Sequence, residues 1–159
     1  MGTERADLPG IINLTTSECL ALLRGAVIGR LAVVLEGQPD IFPINHVIDQ
    51  GTIVFRTQVG TKLSACAGRT VAYEVDGYDE AEESAWSVVV KGDAHEIRET
   101  YETIEALQLP LMPWQSGSKP YIIRIEPEHL SGRRFHVSRA VAEGAGRAAQ
   151  RTTRGVVDD

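Results

Sequence analysis

Cysteine is scarce in this chain: 159 residues hold two, Cys19 and Cys66. Two thiols inside candidate helices exclude a disulfide-framed scaffold and fit reduced, buried side chains. The sequon Asn13-Leu14-Thr15 then carries no glycan. No apolar run approaches the roughly 18 residues of a membrane-spanning helix. The polar opening Met1-Gly2-Thr3-Glu4-Arg5 lacks the apolar centre of a secretion signal. A cytoplasmic chain without a membrane partner is the expectation. Positive charge is also short, with 16 Lys and Arg against 22 Asp and Glu, a net charge of −6. That balance excludes a general nucleic-acid binder, which needs a basic face. There is no Walker loop, no HExxH, no paired CxxC and no GxSxG. Gly144-Ala145-Gly146-Arg147-Ala148-Ala149 matches a dinucleotide pattern, but no strand closely precedes it and too little chain follows for a βαβ unit. The four histidines, His46, His95, His129 and His136, lack metal-ligand spacing, so no metal is expected.

What is present is an ordinary globular balance, 43% apolar and 24% charged, in a length that suits one domain. Residues 1–13 read as a loose arm, 14–137 as the domain, and the Ala-, Gly- and Arg-rich 138–159 as a mobile tail. Thr15 and Glu18 are spaced as a capping box opening a short helix with Leu20, Leu23 and Val27 on one face, stopped near Gly25. β-Branched runs predict strands over 27–36, 40–48 and 52–57, joined by turn-length connections into an antiparallel meander. Pro43 marks an edge or a bulge. A helix over 61–67 with Leu63 and Cys66 inward precedes a strand at 70–76 with Val71, Tyr73 and Val75 on one side. An acidic loop, 78–84, leads to a long strand, 85–98, bent at Gly92. A helix over 99–107, an irregular loop over 109–120 and two strands, 121–126 and 130–137, complete a mostly β chain with short helices. An antiparallel barrel is the architecture this pattern predicts.

The chemistry gathers in 52–77. Arg56 and Thr57 end a strand, and Thr61 and Lys62 stand where a helix begins. Helix starts present unpaired N–H groups and a partial positive charge. Arg and Lys add full charges, and threonine hydroxyls add neutral hydrogen bonds. The cluster is either a phosphate cradle or a set of solvated charges at a strand end.

Four pieces, in order, resemble a known family. They are Leu14-Thr-Thr-Ser-Glu-Cys-Leu with Val27-Ile-Gly-Arg-Leu-Ala; Pro43-Ile-Asn-His; Phe55-Arg-Thr with Gly60-Thr-Lys-Leu; and Val71-Ala-Tyr-Glu-Val-Asp with Trp86-Ser-Val-Val-Val-Lys-Gly. Together with Gly132-Arg133-Arg134-Phe135 they are similar to the pyridoxamine 5′-phosphate oxidase-like, FMN-binding split-barrel proteins. The resemblance implies an antiparallel split β-barrel and a homodimer with flavins at its interface. It assigns the FMN phosphate to Arg56, Thr57, Thr61 and Lys62, with Phe55 and Leu63 flanking them. It places Arg30, Leu31 and Ala32 along the ring edge, Asn45 nearby, and Trp86 and Ser87 approaching from the long strand. The implied activity is a flavin-dependent oxidoreductase, the cofactor carrying the hydride. Two alternatives share the fold: a reductase using a deazaflavin coenzyme, and a non-enzymatic flavin- or haem-binding protein with His46, His95 or His136 as axial ligand. From the residues alone Arg30 either points outward by alternation or faces the cofactor. Trp86 is either core or cofactor wall, and Asn45 either meets a ligand or satisfies backbone beside Pro43.

Overall fold

The thread that makes this fold a barrel is a single residue. A computed structural model describes residues 10–58, 60, 65–98 and 121–137. The elements are β1 (Ile11–Asn13), α1 (Thr16–Gly25), β2 (Ile28–Leu35), β3 (Gln38–Asn45), β4 (Val47–Asp49), β5 (Thr52–Thr57), β6 (Arg69–Asp79), β7 (Ser84–Glu96) and β8 (Tyr121–His136). All strand pairs are antiparallel, in the order β3-β2-β6-β7-β8-β5-β4, with β1 added to β8. β3 and β4 stand at opposite ends of that order, yet only His46 separates them in the chain. Adjacent Cα atoms lie about 3.8 Å apart, so the sheet must curl until its ends meet. The result is an antiparallel split barrel.

The meander predicted for 27–57 is therefore corrected. β2 and β3 form a hairpin, and so do β4 and β5, but β5 pairs with β8 and not with the first hairpin. The reach to β8 is favoured because Ile53 and Phe55 can then bury fully against Ile123 and Ile125. Two further differences concern strand bounds. Ile11–Asn13, placed in the loose arm by sequence, pairs with Arg133–Phe135. The two closing strands are one, β8, because Pro127 falls at a bulge where its missing N–H costs no ladder bond. There Lys91 opposes His129 and Gly92 opposes Pro127, leaving Glu128 as the extra residue. Gly92 is required at the bend, since a side chain would run into the Glu126 carbonyl.

The interior is lined by alternate residues of every long strand: Leu31 and Val33, Ile44, Val71, Tyr73 and Val75, Val88 and Val90. α1 covers one end. Thr15 accepts from the Glu18 N–H while the Glu18 carboxylate accepts from the Thr15 N–H at 2.7 Å, completing the capping box. Its buried side chains are Cys19 and Leu23, and it meets β8 at Gly132, where a methyl group would stand 2.5 Å from the Cys19 sulfur. Both cysteines are buried thiols outside any disulfide. Among the described residues no helix is long and apolar enough to cross a membrane. The helix over 99–107, the loop over 109–120, the tail from 138 and residues 1–9 of the arm lie outside the described residues.

Candidate functional site

β5 is apolar on both faces. Ile53 and Phe55 enter the barrel core, while Val54 joins Ile97 and Ile122 in a second, smaller cluster on the outside. Alternation puts Arg56 with Val54 on that outer side, opposite Ile122 of β8. Its Nε is shut off from solvent and has no hydrogen-bond partner among the described residues. The neighbouring cation on this face, Arg124, is neutralised: its Nη1 lies 2.9 Å from the Asp49 carboxylate and 2.7 Å from the Thr52 hydroxyl. A buried guanidinium donor without an acceptor is costly, and an anion arriving from outside the protein would satisfy it. Thr57 is 3% exposed on the opposite face, and its hydroxyl makes only a long, 3.4 Å contact to the Gln58 carbonyl. Thr61, Lys62 and Leu63 lie outside the described residues; the chain beyond them re-enters the core at Ala65 and Cys66, both helical and buried.

On the other side of the seam the outer sheet face carries a second group. Register aligns Asn45 with Ile28, Pro43 with Arg30 and Glu74, and Ile41 with Ala32, Ala72 and Lys91. Arg30 points outward, with its side chain half-exposed at 52%. Its Nη1 lies 3.1 Å from both Glu74 and Asp76. These carboxylates hold its pKa above the usual guanidinium range, Asp76 most strongly. Two acids to one base make Arg30 a poor counter-charge for phosphate. Ala32 borders an open groove of about 330 Å³ with Val34, Pro39, Ile41, Ala72 and Lys91, a volume at the lower end of ligand sites, which run from about 300 Å³. Ser87 shares this outer face, opposite Asp76 and Arg133.

Other predicted residues turn inward. Leu31 and Phe55 are fully buried in the core, so only their backbone is left to meet a ligand. Trp86 packs on the core and lies over Gly77 of β6, where a side chain would collide with its ring. The strip Asn45–Arg30–Ala32–Ser87 and the seam residue Arg56 are thus the predicted residues that the outer faces present.

His46 at the seam is 8% exposed, and both ring nitrogens are engaged. Nε2 donates to the Leu23 carbonyl at 2.8 Å, and Nδ1 lies 2.7 Å from the Tyr73 hydroxyl. Burial lowers the His46 pKa and raises that of Tyr73. A histidine with both nitrogens committed has no lone pair for a haem iron. His95 is half-exposed beside Glu126, and His136 is exposed beside Glu83. Among the described residues no three His, Cys, Asp or Glu gather as a metal site. The sequence favours a surface or hydrogen-bonded His46 over a metal ligand, but its buried bond to a tyrosine 27 residues away has no local signal.

Comparison with known proteins follows the same lines. The profile of the pyridoxamine 5′-phosphate oxidase family matches residues 15–134. An uncharacterized protein of Mycobacterium tuberculosis is 34% identical over 131 residues, covering 79% of this chain and 86% of its own. The structure of an FAD binding protein from Mycobacterium smegmatis is 37% identical, covers 80% of this chain and 100% of its own, and superposes with a TM-score of 0.72. A structure from Corynebacterium glutamicum, named for the same oxidase family, is 32% identical over 84% of this chain and 98% of its own, with a TM-score of 0.74.

Proposed function

Since this chain belongs to the pyridoxamine 5′-phosphate oxidase family, we propose that it is a flavin-dependent oxidoreductase holding FMN at the seam between β3 and β4. The observation that carries this reading is the buried Nε of Arg56, which has no hydrogen-bond partner among the described residues. It is a preorganised donor on an outer face, beside a neighbouring cation that is already neutralised by Asp49. Arg56, with Thr61 and Lys62 just along the chain, would grip the terminal phosphate through charge-assisted bonds. Asn45, Ala32 and Ser87 offer the outer strip for the ring system. The buried core beneath them supplies a rigid floor, because Leu31 and Val33 lock the strand that carries Ala32. Bound flavin supplies the hydride chemistry; the side chains supply position and the exclusion of water.

A homodimer belongs to the same proposal. Val34 and Ile41 are 57% and 63% exposed on the outer face beside the groove, and a second copy would cover them. The buried thiols suit a reducing cytoplasm. FAD is the second reading, favoured by the name of the Mycobacterium smegmatis relative; its pyrophosphate is the anion Arg56 would meet. A deazaflavin coenzyme is the third, and its tail is also anionic.

The test is direct. Protein purified without added cofactor is examined by visible absorption, then denatured, and the released small molecule is weighed by mass spectrometry. A yellow protein releasing FMN is the expected result. FAD or a deazaflavin would redirect the cofactor assignment. A protein that is colourless and takes up none of the three when they are added overturns the proposal.

A further inference from the structure

His46 is the single residue between the two ends of the sheet, and its ring bonds tie two other segments, α1 and β6, to that point. Nε2 faces the Leu23 carbonyl near the C-terminus of α1. A carbonyl can only accept, so Nε2 carries the proton and Nδ1 accepts from the Tyr73 hydroxyl of β6. The same hydroxyl lies 3.2 Å from the Ile44 carbonyl of β3, a second acceptor within reach. The two rings meet edge to face, with centroids 5.2 Å apart and planes at 80°. Gly29 of β2 makes room for the tyrosine, since a side chain there would strike its ring and hydroxyl. Among the described residues no charged side chain is hydrogen-bonded to this cluster. Glu74 and Arg30 lie on the outer face, Asp49 is turned to Arg124, and Arg24 is exposed on the last turn of α1.

The consequence lies on either side of His46. Asn45 ends the strand bordering the outer strip. Val47 opens β4 and pairs with Val54, two residues before Arg56. The rotation and depth of His46 therefore set how the Asn45 edge stands against the hairpin that carries Arg56.

We propose that His46 and Tyr73 are positioning residues for the cofactor cleft: their hydrogen bond fixes the spacing between the Asn45 strand and the Arg56 hairpin and transmits the seat of α1 to it. The inference rests on the flavin reading. It touches no reacting atom and predicts a loss of affinity that is blind to phosphate.

Tyr73→Phe removes one hydroxyl and keeps the ring. Binding of FMN and of riboflavin is measured by fluorescence quenching for the wild type, Tyr73→Phe, His46→Gln and Arg56→Met, each as the full chain below its melting temperature. Tyr73→Phe is expected to weaken both flavins by the same factor, about tenfold, the equivalent of one hydrogen bond. Arg56→Met is expected to weaken FMN selectively. His46→Gln, whose amide can donate to Leu23 and accept from Tyr73, should recover most of the wild-type affinity. Nitrogen NMR should show His46 with its proton on Nε2 in the wild type and a changed Nδ1 environment in Tyr73→Phe. A wild type that binds flavin beside a Tyr73→Phe protein that binds both flavins equally well, merely melting lower, overturns the positioning role and leaves the flavin reading standing. A Tyr73→Phe protein that loses FMN alone also overturns it. A wild type that binds neither flavin removes the flavin reading, and this inference with it.

Discussion

Replacing Arg56 by Met separates the cost of a buried donor from its use. In the protein without ligand, the Arg56 Nε has no acceptor among the described residues, and the apolar Ile122 stands opposite it on β8. An unsatisfied buried donor costs about 1–3 kcal/mol, and a Met side chain retains much of the stem packing. Cofactor-free Arg56→Met should therefore be at least as stable as the wild type, by about 1 kcal/mol. For a domain of this size that raises the melting temperature by about 2–4 °C. Binding should move the other way. One charge-assisted hydrogen bond to phosphate contributes about 1.5–3 kcal/mol, so FMN affinity should fall by about 10- to 150-fold. Riboflavin, which has no phosphate, should keep its affinity. Differential scanning calorimetry of the stripped protein and isothermal titration with both flavins provide the two halves. A lower melting temperature in the stripped variant would mean the guanidinium is already satisfied within the protein. Equal losses for both flavins would mean that it meets something other than phosphate. Either result refutes the reasoning.

Three other outcomes can be checked on the protein alone. Gly29→Ala drives a methyl group into the Tyr73 ring and hydroxyl; overpacking of this kind costs about 1–3 kcal/mol, which a fall in the urea midpoint at unchanged slope would report. Thr15→Ala removes the N-cap of α1 and should cost about 1 kcal/mol, with faster hydrogen exchange at the first-turn amides; unchanged protection there would show that packing alone holds the helix end. Burial holds the His46 pKa below its ordinary 6.5, so below that pH the unfolded chain takes up a proton that the folded chain resists. The His46 contribution is therefore complete above 6.5 and is lost as pH falls toward the depressed value. Urea unfolding from about pH 8 to about pH 5 should show the wild type losing stability relative to His46→Gln over that range, and parallel curves would contradict the buried neutral imidazole.

Much of the fold can be read from the chain because its signals are local. Thr15 and Glu18 are three residues apart, so the capping box needs nothing beyond its own turn. Val71, Tyr73 and Val75 alternate as a half-buried strand must, and all three are buried. Gly92 marks its bulge by the absence of a side chain. The strand order is another matter. Turn-length links favour neighbouring strands, yet between β3 and β4 the link is one residue that joins opposite ends of the sheet. The local pattern is the same in either case. What decides it is the pairing of β5 with β8, across a sequence separation that local periodicity does not encode.

The site divides along the same line. Residue types at 56–62 suit either an anion or solvated charges, and a resemblance names which anion it would be, but facing is a property of the sheet. β2 shows why: Val33 and Val34 are both apolar, one buried and one exposed, so hydrophobicity there does not say which way Arg30 points. The answer came from β6, where Glu74 and Asp76 stand across from it and claim its charge. Arg56 is the converse. Its partner on β8 is Ile122, and the acid nearest in role, Asp49, is spent on Arg124. Two arginines on two outer faces thus acquire opposite characters from their cross-strand neighbours. Arg30 is neutralised twice over and suits a structural brace, whereas Arg56 keeps a donor with no acceptor among the described residues and suits a ligand. Exchanging those neighbours, by giving position 122 a carboxylate, should close Arg56 in the same way: Ile122→Glu is expected to reduce FMN binding while leaving riboflavin binding intact. If FMN binding survives the new carboxylate, the open donor is not what the phosphate uses.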